Sequence, residues 1–238
     1  MNKIVPLTNV GLLAGAIDRA MLRPVGLPGL VVQYGPSGYG KSVAAAFAAN
    51  QHRAYYIECR SVWPKKAFLS AVLREMAIVP ARTLSEMVDQ AAEQLSRSGR
   101  PLIIDDVQYL LDTATGNVLT DLHNASQGTI VLIGEKTVPA SLIKLERLHN
   151  RVLEWVPAQP ATLDDLRDLA EATYPSLRIH DELLEDLRRQ VQGCLRRVAA
   201  NLYRVHTEAQ AMGTNVVDLA TWGKRGWFTG EAPARRAS

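Results

Sequence analysis

The octet Gly35-Pro36-Ser37-Gly38-Tyr39-Gly40-Lys41-Ser42 fits the spacing G-x-x-x-x-G-K-[ST]. These residue types, so spaced, suit a polyphosphate. Glycines let the backbone turn sharply and present successive N–H groups, and a helix N-terminus behind them adds unpaired N–H groups and the positive end of its dipole. Lys41 would reach the β- and γ-phosphates and the Ser42 hydroxyl would ligate Mg²⁺, with Val43 completing the contact run at the helix start. A match of this kind arises by chance in roughly one chain in a hundred of this length, so the flanks matter. The apolar run Gly29-Leu30-Val31-Val32-Gln33-Tyr34 reads as a buried strand, and Ser42-Val43-Ala44-Ala45-Ala46-Phe47 reads as the opening of a helix. Strand, loop and helix together predict a nucleoside triphosphate site.

A second strand ending in an acid is needed beside the first. Pro101-Leu102-Ile103-Ile104-Asp105-Asp106 supplies it. Asp105 is assigned to the metal and Asp106 to polarising an attacking water, the positioning role that phosphoryl transfer requires. Two acids at a strand end also serve as simple loop caps; the phosphate loop favours the chemical reading. Gly128 to Gly134 reads as a further core strand whose next residues, Glu135 and Lys136, would face the γ-phosphate. Arg147 and Arg151 precede a last short strand, Val152 to Val156, and Gly193-Cys194-Leu195-Arg196-Arg197 opens a helix.

The elements that must position these residues are legible around them. Leu12, Leu13, Ala16, Ile17 and Ala20 recur at helical spacing over Asn9 to Leu22. Ala54 to Cys59 is the second strand, Pro64 starts a helix to about Met76, and Thr83-Leu84-Ser85-Glu86 is a capping box for a helix to about Ser96. Asn117 to Ala125 is another helix. After Pro157 and Pro160 strand signals stop, and three helices follow over about 162–172, 180–191 and 195–212, the first opened by Thr162 and Asp165. The expected fold is α/β: a parallel sheet flanked by helices over residues 1–158, a small helical lid over 159–215, and a basic, flexible tail over 216–238.

At 238 residues and 47% apolar content the chain can fill a sizeable core. It shows no run of 18 apolar residues and no leader, so a membrane is excluded from the expected partners. Cys59 and Cys194 lack C-x-x-C or His-ligand spacing, which predicts packing roles, a reducing cytoplasm and no zinc. Net charge is +3. Lys3, Arg19, Arg23 and Lys41 make the first 50 residues basic, and Lys224, Arg225, Arg235 and Arg236 do the same from residue 222 onward. Basic ends on a slightly acidic body permit nucleic-acid contact and equally serve solubility.

Phosphate loop, metal acid, sensor strand, arginine pair before the last strand, then a helical segment with G-x-x-R: in that order the chain resembles the AAA+ ATPases over residues 7–212. The resemblance implies ATP and Mg²⁺ as ligands, Arg151 (or Arg147) as an arginine finger on a neighbouring subunit's nucleotide, and Arg196 as a lid sensor of the γ-phosphate. Two departures stand out. The second acid is ordinarily Glu, and the shorter Asp106 implies slow hydrolysis with bound nucleotide as a timer. Glu135 stands where a small polar sensor residue is usual.

Among AAA+ proteins the chain is similar to the transposition protein B type of Mu-like transposable phages. The shared features are a single core with a small lid, the loop, the paired acids before a polar-aromatic stretch, and the Arg before the last strand. This resemblance implies a homo-oligomeric filament on double-stranded DNA, a transposase as partner and a bacterial host cytoplasm. No N-terminal DNA-binding extension is seen, so DNA contact would come from the core. Cys59-Arg60-Ser61-Val62-Trp63-Pro64-Lys65-Lys66 combines Arg60, Lys65 and Lys66 with an aromatic, suited to phosphate contacts that position without reading sequence, or to a solvated helix start. Lys136 is a second candidate. Two other expectations stay open: remodelling of a protein partner, which the Val62-Trp63 pair would serve, and a nucleotide switch with negligible turnover.

Overall fold

The computed structural model describes residues 7–111 and 113–231. Lys3, Arg235 and Arg236, on which the basic ends were argued, lie outside them. The described residues divide into two compact units, one made of Asn9–Ser37 and Lys41–Ala158, the other of residues 7–8, Gly38–Gly40 and residues 159–231.

The first unit is built from α1 (Thr8–Met21), β1 (Leu30–Gly35), α2 (Lys41–Gln51), β2 (Tyr55–Glu58), α3 (Lys65–Glu75), α4 (Leu84–Ser98), β3 (Leu102–Asp105), α5 (Thr113–Ser126), β4 (Ile130–Glu135), α6 (Val138–Ile143), α7 (Glu146–His149) and β5 (Val152–Pro157). Its five strands lie in the order β2-β3-β4-β1-β5, every neighbouring pair parallel. This is an α/β fold, a parallel sheet flanked by helices, as expected. A parallel sheet is covered on both faces, so its strands carry continuous apolar runs instead of alternating ones. Leu30–Val32, Leu102–Ile104 and Ile130–Ile133 are accordingly all buried. On one face Leu30, Val32, Leu102, Ile104, Ile130 and Leu132 share a core with α3, α4 and α5, anchored by Phe68, Met87 and Leu122. α2 packs on β2, β3 and β4. Each such side chain, fully buried, contributes about 1.5–3 kcal/mol.

The Thr83 box forms as expected: its side chain accepts the Glu86 N–H while Glu86 accepts the Thr83 N–H, and Gly99 closes α4 in the left-handed conformation. Two short helices, α6 and α7, and a 3-10 turn over Val107–Leu110 were not expected. They are too short to print a period of 3.6 on the sequence. Strand and helix limits elsewhere agree to within about two residues, except that α5 begins at Thr113 and not near Asn117.

The second unit carries α8 (Leu163–Thr173), β6 (Arg178–Ile179), α9 (Asp181–Gln190), α10 (Leu195–Met212), β7 (Val216–Val217) and α11 (Leu219–Trp222). Leu166, Leu184, Leu187, Val191, Val198 and Leu202 form its core. The Thr162–Asp165 capping box is complete, and the Asp165 carboxylate also accepts from the Thr8 backbone N–H at 2.7 Å. Two expectations need correction here. Strands do not end after residue 157, since β6 and β7 pair in parallel. Nor is the segment from 216 onward a flexible tail through residue 231. Trp222 is 2% exposed and stacks on Trp227 with ring centroids 4.7 Å apart. Trp227 Nε1 donates to Asp186 at 2.7 Å. The fully buried Asn201 accepts the Phe228 N–H at 2.8 Å and donates to the Phe228 carbonyl at 2.9 Å. Glycines and cations around the aromatics suggested mobility; a buried side-chain amide that satisfies one residue's backbone on both sides overrides them.

Candidate nucleotide site

In open α/β sheets, ligands bind outside the carboxyl ends of the strands. At that edge β1 ends at Gly35 and runs straight into the octet, and α2 begins at Lys41, so Ser42 and Val43 occupy its first turn, both exposed. Gly38 and Gly40 have φ of +84° and +81°, which L side chains rarely adopt, so glycine at these two positions, the second fixed by the pattern, is a conformational requirement. Pro36 and Ser37, between Gly35 and Gly38, are exposed, and Tyr39 is half-buried. The Lys41 ammonium donates to the carbonyls of Gly35 at 2.9 Å and Pro36 at 2.8 Å. The cation is thereby held folded over the loop, where phosphate oxygens would compete for it with stronger, charge-assisted hydrogen bonds.

β3 delivers the acids to the same edge. Asp105 is its last residue and 2% exposed; one carboxylate oxygen accepts the Tyr56 hydroxyl at 3.1 Å and the other the Asp106 N–H at 2.9 Å. Burial, reinforced by the Asp105 carboxylate, pushes the Tyr56 hydroxyl well above its ordinary pKa, so it stays a donor. Burial also pushes the Cys59 thiol up to about 12, with Asp105 adding to the effect; Cys59 is an inert packing residue. Asp106 is left-handed, φ 54° and ψ 40°, and turns the chain into the 3-10 helix. Its carboxylate accepts from Gln108 Nε2 at 3.1 Å. Between β1 and β3 lies β4, whose Glu135 pairs in register with Gly35. Glu135 and Lys136 are exposed at that tip.

Ser42, Asp105 and phosphate oxygens form the kind of oxygen donor set Mg²⁺ takes, with one or two protein ligands and the remainder from substrate and water. Among the described residues no three His, Cys, Asp or Glu side chains cluster as a metal site. The residues present therefore fit a metal carried in with the nucleotide, not a resident cage.

The other expected residues are distributed as follows. Arg151 immediately precedes β5, and its carbonyl accepts the N–H of Leu30, the first residue of β1, at 3.0 Å. It therefore lies at the amino edge of the sheet, opposite the phosphate loop. Its guanidinium donates to Asn124 Oδ1 at 2.5 Å and to the Arg147 carbonyl, while Arg147 pairs with Asp121 at 3.3 Å. Arg196 belongs to the second unit, where its backbone N–H donates to the Gly38 carbonyl at 3.0 Å. Arg60 is exposed on the connection from β2 to α3, at the same carboxyl edge as the loop, and α3 opens with Lys65, half-buried, and Lys66, exposed. Arg60 stands over the Trp63 ring at 5.7 Å, and Lys66 donates to the Arg82 carbonyl at 2.9 Å. Sequence reasoning missed Tyr56 and Gln108. The second was in view, two residues past Asp106, but nothing local said what its amide would meet.

The family model of the AAA domain matches residues 26–142, which run from just before β1 through α6. Over those residues the sequence is similar to the AAA domain. Its fold is similar to that of the Aeropyrum pernix ORC2 protein in ADPNP–ADP complexes: TM-score 0.69, 15% identity, 92% of this chain and 68% of that one. It is similar also to the Aeropyrum pernix ORC1 protein in complex with DNA, with TM-score 0.61, 16% identity, 90% of this chain and 62% of that one. A third similar structure is the Thermotoga maritima RuvB Holliday junction branch migration motor, at TM-score 0.62 and 19% identity, covering 92% of this chain and 69% of that one. The chain thus spans less than two thirds of the ORC1 protein's length. No curated protein matches its sequence. Among the described residues no helix is long and apolar enough to cross a membrane.

Proposed function

We propose that this chain is an ATPase that binds double-stranded DNA without reading its sequence, assembles on it as a helical filament, and delivers that DNA to a transposase in the bacterial cytoplasm. The observation that carries the reading is the convergence, at one edge of one parallel sheet, of the Lys41 loop, the Asp105–Asp106 pair and the Arg60–Lys66 connection. Nucleotide chemistry and a cationic surface share that edge, so nucleotide state can bias DNA contact.

Within the nucleotide site, Lys41 and the loop and α2 N–H groups bind the β- and γ-phosphates, Ser42 and Asp105 hold Mg²⁺, and Asp106 orients the attacking water. Mg²⁺, when bound, neutralises charge developing on the phosphate oxygens. The chain does not complete this site alone. Six residues of β1, at about 3.3 Å each, separate Arg151 from its own phosphate loop. Arg151 therefore acts on a neighbouring subunit's nucleotide, which makes oligomerisation part of catalysis, and Arg196 reads the γ-phosphate from the lid. Arg60, Lys65 and Lys66 contact DNA phosphates, which carry no base information. The similar fold of a protein solved in complex with DNA supports DNA over other polyanions.

Retention of double-stranded DNA, and electron microscopy of the products, should be compared with ATP, with ADP and without nucleotide. The expected result is filaments and retention with ATP only. Equal retention in all three states removes the nucleotide-gated filament. A second reading, remodelling of a protein partner, rests on Val62, which is 80% exposed beside Trp63 on the same connection. Turnover stimulated by a protein without DNA would favour it.

A further inference from the structure

The Gln108 side chain joins the proposed water-orienting acid, Asp106, to the strand next to the glycine-rich loop. Its Nε2 donates to Asp106 Oδ1 at 3.1 Å and its Oε1 accepts the Glu135 backbone N–H at 3.3 Å. The partners fix the amide's orientation. Turned over, it would set its oxygen against a carboxylate and its NH₂ against an N–H. The fit is also close: a Cβ on Gly134 would come within 2.6 Å of Gln108 Oε1. Asp106 itself sits in the left-handed region, a conformation that a non-glycine residue holds only where its surroundings enforce it.

We infer that Gln108 is a positioning residue for hydrolysis: it holds the Asp106 carboxylate in its working orientation and ties that orientation to the tip of β4 beside the phosphate loop. This rests on the hydrolytic reading above. Glu135 pairs in register with Gly35, so a shift of the β4 tip on γ-phosphate binding or loss passes to Asp106 through a single amide. The device also bears on the short acid. Asp106 lacks one methylene of reach relative to Glu, which makes its direction matter more, and a donor fixed two residues away supplies that direction. Gln108 touches neither nucleotide nor water in this role; it acts through Asp106.

The test is steady-state ATP turnover, ATP affinity and melting temperature for the wild type, Gln108→Glu, Gln108→Leu, Asp106→Ala and the Asp106→Ala/Gln108→Glu double variant. Gln108→Glu keeps the size and the acceptor for the Glu135 N–H but loses the donor to Asp106; Gln108→Leu loses both. Misplacing a catalytic group by about 1 Å costs on the order of 10²-fold. Gln108→Glu should therefore lower kcat roughly 10- to 100-fold while KM, ATP affinity and melting temperature stay near wild type. Gln108→Leu should lower kcat similarly. The double variant should turn over no more slowly than Asp106→Ala alone, because residues acting as a unit are not additive. Unchanged kcat in both Gln108 variants, or a loss that follows melting temperature, or additivity in the double variant, overturns the inference while leaving the ATPase reading intact. A wild type that binds ATP and never turns it over removes that reading, and this inference with it.

Discussion

At the residue scale, Lys41 is the cation held over the glycine-rich loop, and on the proposed reading it is the one that meets phosphate. It bonds to the Gly35 and Pro36 carbonyls, which it would give up for phosphate oxygens. Removing a charge-assisted contact worth about 1.5–3 kcal/mol should raise the ATP dissociation constant roughly 10- to 100-fold in Lys41→Ala. An equilibrium titration checks this, and an unchanged constant contradicts the site assignment. Arg151→Ala should leave ATP binding intact and cut turnover heavily, since arginine fingers measured in GTPases are worth 10³–10⁵ in rate. A mixture of Arg151→Ala and Asp106→Ala subunits should recover part of that turnover at mixed interfaces, where one subunit supplies the finger and the other the acid. No recovery from mixtures that still assemble would make Arg151 structural, the partner of Asn124 and of the Arg147 carbonyl.

At the scale of elements, α5 carries a pH response. His123 is 3% exposed, and burial, with Arg23 and Arg151 nearby, lowers its pKa from the ordinary 6.5 to about 4. Above pH 6.5 it is neutral folded or unfolded and contributes nothing to pH dependence. Between about 6.5 and 4 the unfolded chain takes up the proton and the folded one does not, so stability falls as pH falls. Denaturant melts at pH 7.5 and 5 should show this loss, and His123→Leu should lessen it; an identical loss in the variant would assign it to other groups. In the helical unit, Asn201→Ala should free the Phe228 backbone from its clamp and cost about 1–3 kcal/mol. Trp227 should then become more accessible to a fluorescence quencher, and proteolysis near residue 223 faster than in wild type.

At the scale of the whole molecule, DNA affinity is expected to come from repetition along a filament and not from one strong contact. Each subunit offers Arg60, Lys65 and Lys66 at the carboxyl edge. Counterion release gives a slope of about −0.9 in log affinity against log salt for each phosphate neutralised. Replacing all three residues with Ala should flatten that slope by about 2.7 per subunit (three contacts at about 0.9 each) and leave ATP binding as it was. An unchanged slope would move the DNA surface elsewhere in the chain.

The sequence by itself determined whatever depends on a residue's immediate neighbours. The octet needs left-handed glycines and a following helix, the Thr83 and Thr162 boxes need an acid three residues on, and β1, β3 and β4 need continuous apolar runs. Backbone sterics and hydrogen bonds closed within a turn write themselves into spacing, and so the glycine-rich loop, the helix behind it and the strand that ends in Asp105 could be read without coordinates. The tertiary structure decided which strand lies beside which, and everything that depends on it. Tyr56 meets Asp105 across 49 residues, the Glu135 N–H meets Gln108 across 27, and Asn201 holds Phe228 across another 27. The order β2-β3-β4-β1-β5 also sets Arg151 at the edge opposite its own phosphate loop. These pairings follow from crossover connections and from filling one shared core, a condition on the whole chain that no short window of residues contains.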